Sequence, residues 1–268
     1  MKVKKKLHLW YTLTATGLKT RTIYRASAWM ASFWGMVTFL IQILIWRSLL
    51  GAGARFGTTF EEMLTYLMLT QIIVFLINSS AGLQIRALVR TGDISVYLLR
   101  PINLKTLLFF DDLGKNIFQA IVVTLPICAV LAAYFGVVLP QDPLVYLYVS
   151  IMLLNGMAML FLYRYTLGLV SFWFVENPFI EWHFQNIESI FSGAVLPLWL
   201  CPAWLAALSQ YLPFRYFTYE PLALFVGKSE LSVANNILIH QYIWLAALFA
   251  LERLVSTRAM RKLTLQGG

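Results

Sequence analysis

The chain has 268 residues, 60% hydrophobic and 12% charged, with a formal net charge of +9 and a mean hydropathy of +0.72. A soluble domain carries about 25% charged residues, so this chain lacks the polar surface to cover a water-facing globule. The basic excess does not make a nucleic-acid binder either, because no basic face exists outside the flanks of apolar runs.

Six windows free of Asp, Glu, Lys and Arg are each 21 to 26 residues long: 26–46, 63–85, 116–141, 143–163, 189–214 and 231–251. A bilayer core of about 30 Å needs about 20 helical residues. The runs are continuously apolar with no two-residue alternation, so they predict six transmembrane helices rather than barrel strands. If the N-terminus is cytoplasmic, 17 of the 21 Lys and Arg lie in segments 1–25, 86–115, 164–188 and 252–268 on the inner side. That bias places both termini in the cytoplasm. The 25 largely polar residues before the first run do not resemble a cleavable signal peptide.

In chain order, residues 1–25 predict an interfacial amphipathic helix, with Leu7, Trp10, Tyr11, Leu13 and Leu18 at roughly helical spacing between basic ends. Span 1 carries Trp29 and Trp46 as interface anchors. Span 2 holds Gln71, Asn78, Ser79, Ser80 and Gln84, which either hold helices together or line a polar path. Pro126 should kink span 3, and Pro140 to Pro143 (PQDP) make a tight external turn. Span 4 continues beyond Arg164, which must snorkel or find a partner. Span 5 starts near Phe179 and ends near Leu196, because Pro197, Pro202 and Pro213 forbid a straight helix beyond it. Segment 197–230 then becomes an extracytoplasmic re-entrant region, and Glu181 and Glu188 fall in the inner half of the membrane. Span 6 covers about 233–254. No internal repeat, low-complexity tract or separate soluble domain is evident, so the whole of 1–268 reads as one transmembrane domain.

Chemistry is sparse. LALFVGKS at 222–229 ends like a phosphate-binding loop, but Leu222 stands where that loop requires glycine. Intramembrane hydrolysis would need Ser192 and His240 as nucleophile and base, without any surrounding oxyanion motif. The three histidines are scattered, and Cys128 and Cys201 fit no metal or redox spacing. Glu188, with Gln185 beside it, is the intramembrane polar group to explain: the wall of a substrate path, a coupling to Arg164, or a carboxylate in a cytoplasmic vestibule. Gln71 and Asn78 of span 2 are candidates for the same wall.

The loop 86–115 contains TGDISVYLLRP. Asp93 can cap a short helix that Pro101 ends. Ile94, Tyr97 and Leu98 share one face, and Val96 and Leu99 another. So small a helix is marginal alone in water, and nothing local offers it packing, so it should lie on the membrane or dock into a partner.

This stretch resembles the G-D/E-I-x-x-x-L-L-R-P marker of a subset of bacterial type-2 ABC exporter permeases. SGAVLPLWLCPAWL at 192–205 and LPFRYFTYEPL at 212–222 are similar to that family's outer re-entrant region. The resemblance covers essentially the whole chain. It implies a permease in the bacterial inner membrane, paired with a second, identical or homologous permease and with two cytoplasmic ATPase subunits that hold ATP and Mg. It also implies that the N-terminal segment is an elbow helix. Gly92, Asp93, Ile94, Tyr97, Leu98, Leu99, Arg100 and Pro101 would then form the coupling helix that receives the ATPase stroke. The chain itself would need no cofactor and would not be an enzyme. The competing expectation is a membrane scaffold or lipid scramblase without ATP coupling.

Overall fold

The computed structural model describes residues 2–23, 25–51, 57–174 and 179–266. All regular structure among them is helical. Twelve α-helices follow in order: α1 Lys2–Ile23, α2 Arg25–Gly51, α3 Phe60–Ile77, α4 Ala81–Thr91, α5 Ile94–Leu98, α6 Leu104–Phe118, α7 Leu125–Phe135, α8 Pro143–Val170, α9 Phe179–Phe191, α10 Ala203–Gln210, α11 Tyr219–Phe225 and α12 Ala234–Gln266.

Four stretches are long and apolar enough to cross a bilayer: Phe60–Thr91, Leu104–Phe135, Pro143–Val170 and Leu231–Lys262. They correspond to the second, third, fourth and sixth predicted spans. The first predicted span lies in α2, a 27-residue helix whose apolar part among the described residues is Gly35–Gly51. Side-chain placement of Trp29 lies outside the described residues; Trp46 is buried. The fifth span departs most from expectation. α9 stops at Phe191 and has 13 residues, about 20 Å of helix. The chain leaves it through Gly193, at φ 73°. This left-handed turn suits glycine and ends the helix before the prolines are reached. Residues 197–225 then run as short helices.

Local chemistry explains most boundaries. Thr59 and Glu62 form a reciprocal capping box at the start of α3. Asp142 accepts the Leu144 amide at 2.8 Å to start α8. Between α6 and α7 the helix passes through a π turn, Gln119–Thr124, where the Leu125 amide reaches back to the Ala120 carbonyl. Pro126, in the first turn of α7, has no N–H to give, so the expected disturbance of span 3 takes this widened form.

The larger apolar clusters among the described residues hold the bundle. One joins α3, α8, α11 and α12 around Tyr66, Met152, Met159 and Phe217. A second joins α4, α5, α6 and α8 around Ile85, Ile94, Leu108 and Tyr165. A third sets α2 against α3 through Phe39, Ile43, Met63 and Leu67. Glycines set the closest crossings. A Cβ on Gly168 of α8 would come within 2.7 Å of Gly82 Cα in α4, and a Cβ on Gly17 of α1 or Gly114 of α6 would strike the other helix's backbone. α1 therefore packs on α6, while Leu7, Tyr11 and Leu18 stay exposed.

Non-helical backbone in an apolar layer needs protein partners for its polar groups. In the 197–230 region α12 supplies one such partner and is itself braced on α8. Gln241 of α12 donates to the carbonyls of Met152 and Tyr216, both at 3.0 Å, and accepts from Asn155. Arg215 pairs with buried Glu220 at 2.6 Å.

Candidate functional site

The second span is not one helix. α3 ends at Ile77 and α4 begins at Ala81, and the intervening Asn78, Ser79 and Ser80 expose the carbonyl end of one helix and the amide end of the next. Such ends carry groups without intrahelical partners. α6 supplies partners to both from residues one helical turn apart. Asn116 donates its amide to the Leu76 and Asn78 carbonyls at 3.1 and 2.6 Å. Asp112 accepts from the Ser80 amide at 3.1 Å, from the Ser79 hydroxyl at 2.9 Å and from the Ser80 hydroxyl. The residue types match the ends: a donor on the carbonyl side, and an anion on the amide side where the helix dipole favours negative charge.

Arg164 of α8 reaches the same break. Its Nη1 donates to Asn78 Oδ1 at 2.9 Å and to the Ser79 carbonyl at 3.1 Å. The rest of the guanidinium forks onto Glu188 of α9, Nε to Oε2 at 3.0 Å and Nη2 to Oε1 at 2.9 Å. Both side chains are largely buried. Such a two-bond fork is among the stronger pairings available in low dielectric. The coupling to Arg164, one of the readings open for Glu188, is present.

Of the four candidate path residues, the structure gathers two. Asn78 and Glu188 meet through Arg164. Gln71 lies apart, in an apolar crevice of α2, α3 and α7 lined by Gly35, Phe39, Phe75 and Cys128. Gln185 is half-buried, one turn before Glu188. Sequence reasoning missed Asp112, which it assigned to the cytoplasmic loop 86–115, and Asn116, which it took only as the first residue of the third apolar run. Their i, i+4 spacing on one helix face was the available signal.

α4 leads from the break to α5. Gly92, at φ 80°, closes α4 in the left-handed conformation. Asp93 does not cap α5 with its side chain, as the sequence suggested. Its carboxylate accepts from Thr91 Oγ1 at 2.7 Å instead, while its carbonyl takes the Val96 and Tyr97 amides. Nor does α5 lack packing of its own. Ile94, 3% exposed, sits in the α4–α6–α8 cluster, and Tyr97 and Leu98 pack against it. The predicted division into two faces is present, but only one face is outward: Val96 is 55% exposed and Leu99 87%. Arg100 stacks over the Tyr97 ring at 4.2 Å, and Pro101 is exposed.

The remaining chemical candidates fall to structural roles. Gly227, at φ 74°, turns the chain so that Lys228 bonds Glu62 at 2.6 Å and the Gly57 carbonyl at 2.9 Å. Ser192 donates to Ser189 of its own helix at 3.2 Å. His240 bonds the Asn236 carbonyl and stacks on Tyr216, so the two form no nucleophile–base pair. Among the described residues no three His, Cys, Asp or Glu side chains gather to hold a metal ion.

Comparison with known proteins adds the deciding observation. A family model described as "ABC-2 family transporter protein" matches residues 33–267. The chain belongs to the ABC-2 transporter family. No curated protein matches the chain. The family and the four long apolar helices make this a multi-pass membrane protein and a permease component of an ABC transporter. For an ABC-2 permease, the features to explain are the broken helix, its clamp, and the short helix at the far end of α4.

Proposed function

We propose that this ABC-2 permease is the transmembrane subunit of an ATP-driven exporter, with six membrane passes, α1 as an interfacial elbow and both termini cytoplasmic. It pairs with a second permease, identical or homologous, and with separate ATPase subunits that bind ATP and Mg. The observation that carries this reading is the division of α5. Ile94 fixes the helix to the body of the permease, while Val96 and Leu99 stand out from it. An exposed apolar pair on an otherwise anchored element suits a protein partner.

The hypothesised mechanism is mechanical. Closure of the ATPases displaces α5, and α4, an 11-residue helix, carries the displacement to the break at 78–80. There Arg164 passes it to α9 and the re-entrant segment, changing which side of the membrane the permease interface faces. The motion is of the domain-closure kind. The apolar, aromatic interior suits an amphiphilic or hydrophobic substrate.

The test is to replace Val96 and Leu99 with Asp and to purify the permease with the ATPase subunit that accompanies it. Loss of association, with membrane insertion and thermal stability retained, is the expected result. Undiminished association would remove α5 as the receiving element. Membrane insertion with no associated ATPase at all in the parent protein would favour the scaffold or scramblase alternative.

A further inference from the structure

Glu181 opens α9 two turns before Glu188, and none of the contacts above uses it. It is 7% exposed. A Cβ on Gly82 would collide with its Oε1 and approach the Arg164 carbonyl at 2.7 Å, so this carboxyl occupies the space left by a missing side chain at the α4–α8 crossing. Its Oε2 is buried, and no donor among the described residues lies within hydrogen-bond distance of it. Charged groups face it from two helices, Arg86 of α4 and Arg164 of α8, and Glu188 shares its own helix. The Arg164 guanidinium is turned to Glu188, Asn78 and Ser79, and neither arginine makes a hydrogen bond to the unpartnered oxygen.

A buried carboxylate with an oxygen left bare is strongly disfavoured, whereas a carboxylic acid satisfies itself by holding a proton. Among the described residues Glu181 joins no group of three His, Cys, Asp or Glu side chains that would hold a metal cation. We infer that Glu181 is a proton-binding site on the permease, occupied while α4 is packed against α8 and α9. The consequence for regulation follows by linkage. If moving α4 off Gly168 admits water to Glu181, the packed arrangement binds the proton and the opened one releases it. Raising the pH then favours the opened arrangement, and lowering it favours the packed one. The proton site itself stands without the transport reading; only its link to α4 motion rests on that reading.

The full chain in lipid nanodiscs provides the test by infrared difference spectroscopy across a pH titration. The expected result is a protonated-carboxyl carbonyl band in the parent at neutral pH that disappears in Glu181→Gln and persists in Asp142→Asn, a change at an exposed carboxylate. Absence of the band in the parent, or its persistence in Glu181→Gln, overturns the proposal. Should Glu181→Gln fail to fold, the parent is treated with dicyclohexylcarbodiimide, which attacks protonated carboxyl groups in apolar surroundings, and the adduct is located by mass spectrometry. Labelling at residue 181 that declines with rising pH supports the site; labelling at Glu188 in its place overturns it. ATPase co-purification with Glu181→Gln should match the parent, so failure of the proton site and failure of the α5 docking surface give different outcomes.

Discussion

Arg164 and Glu188, on helices α8 and α9, meet in a buried two-bond fork at 3.0 and 2.9 Å, and the same guanidinium holds the broken end of α3 through Asn78. One side chain thus ties three helices together. Removing one partner of a buried pair leaves an uncompensated charge and costs about 3–5 kcal/mol, whereas replacing both with apolar groups of similar size is far milder. Glu188→Ala should lower the thermal midpoint of the detergent-solubilised permease substantially, and Arg164→Met with Glu188→Leu should recover much of the loss. Equal losses in the single and double variants would show that the pair does not act as a unit.

Asp112 takes three hydrogen bonds from Ser79 and Ser80. Asp112→Ala leaves a buried amide and two hydroxyls without their acceptor, at a cost of about 1–3 kcal/mol for each group left unsatisfied. The damage should be local. Hydrogen exchange at residues 78–84 should speed up markedly in this variant, while α12 keeps its protection. Uniform acceleration along the chain would mean that the clamp supports the whole fold rather than the break.

The crossing of α4 and α8 at Gly82 and Gly168 leaves no room for a side chain. Gly168→Leu forces backbone against backbone and should destabilise by at least the roughly 1–3 kcal/mol typical of overpacking. Gly136→Ala, where an added Cβ meets open space but φ is 80°, should show only the smaller cost of an unfavourable backbone conformation. Thermal unfolding of the two variants side by side checks the order.

Within α5, Ile94→Asp buries a charge in the α4–α6–α8 cluster and should destabilise the loop itself, detectable as rapid proteolysis between Arg90 and Lys105. Leu99→Asp, on the outward face, should leave the digestion pattern unchanged. If both variants digest alike, the two faces of α5 are not distinct in solution.

The sequence spoke clearly where a single segment decides the outcome. Charge-free runs located the long helices, the Gly92 and Pro101 limits located α5, and the spacing of Ile94, Tyr97 and Leu98 against Val96 and Leu99 separated its faces. It was silent where two distant segments decide together. Ile94 looked unpartnered because its partners, among them Leu108, Phe161 and Ala259, lie elsewhere in the chain. Asp112 looked like a loop residue, and Asn116 like the mere start of an apolar run, because the groups they satisfy lie at the facing ends of α3 and α4. Asn78, Ser79 and Ser80 read as polar side chains on a helix, when the helix ends at that point and the next one begins. Glu188 could be suspected of meeting Arg164, but only the fold turns α9 so that it does.

The π turn at Gln119–Thr124 bears on that clamp from a distance. It holds one more residue than an α turn, so α6 and α7 are out of phase by about 100° relative to an unbroken helix. α7 sets its own face against α3 through Cys128, whose thiol approaches the Met68 carbonyl at 3.8 Å. The extra residue therefore lets Asp112 and Asn116 meet the break while Cys128 meets α3. Deleting one residue from 119–124 would turn the two halves about 100° relative to each other, so that the α6 clamp and the α7 face could no longer both be met. At this position, length is under tighter constraint than side-chain identity.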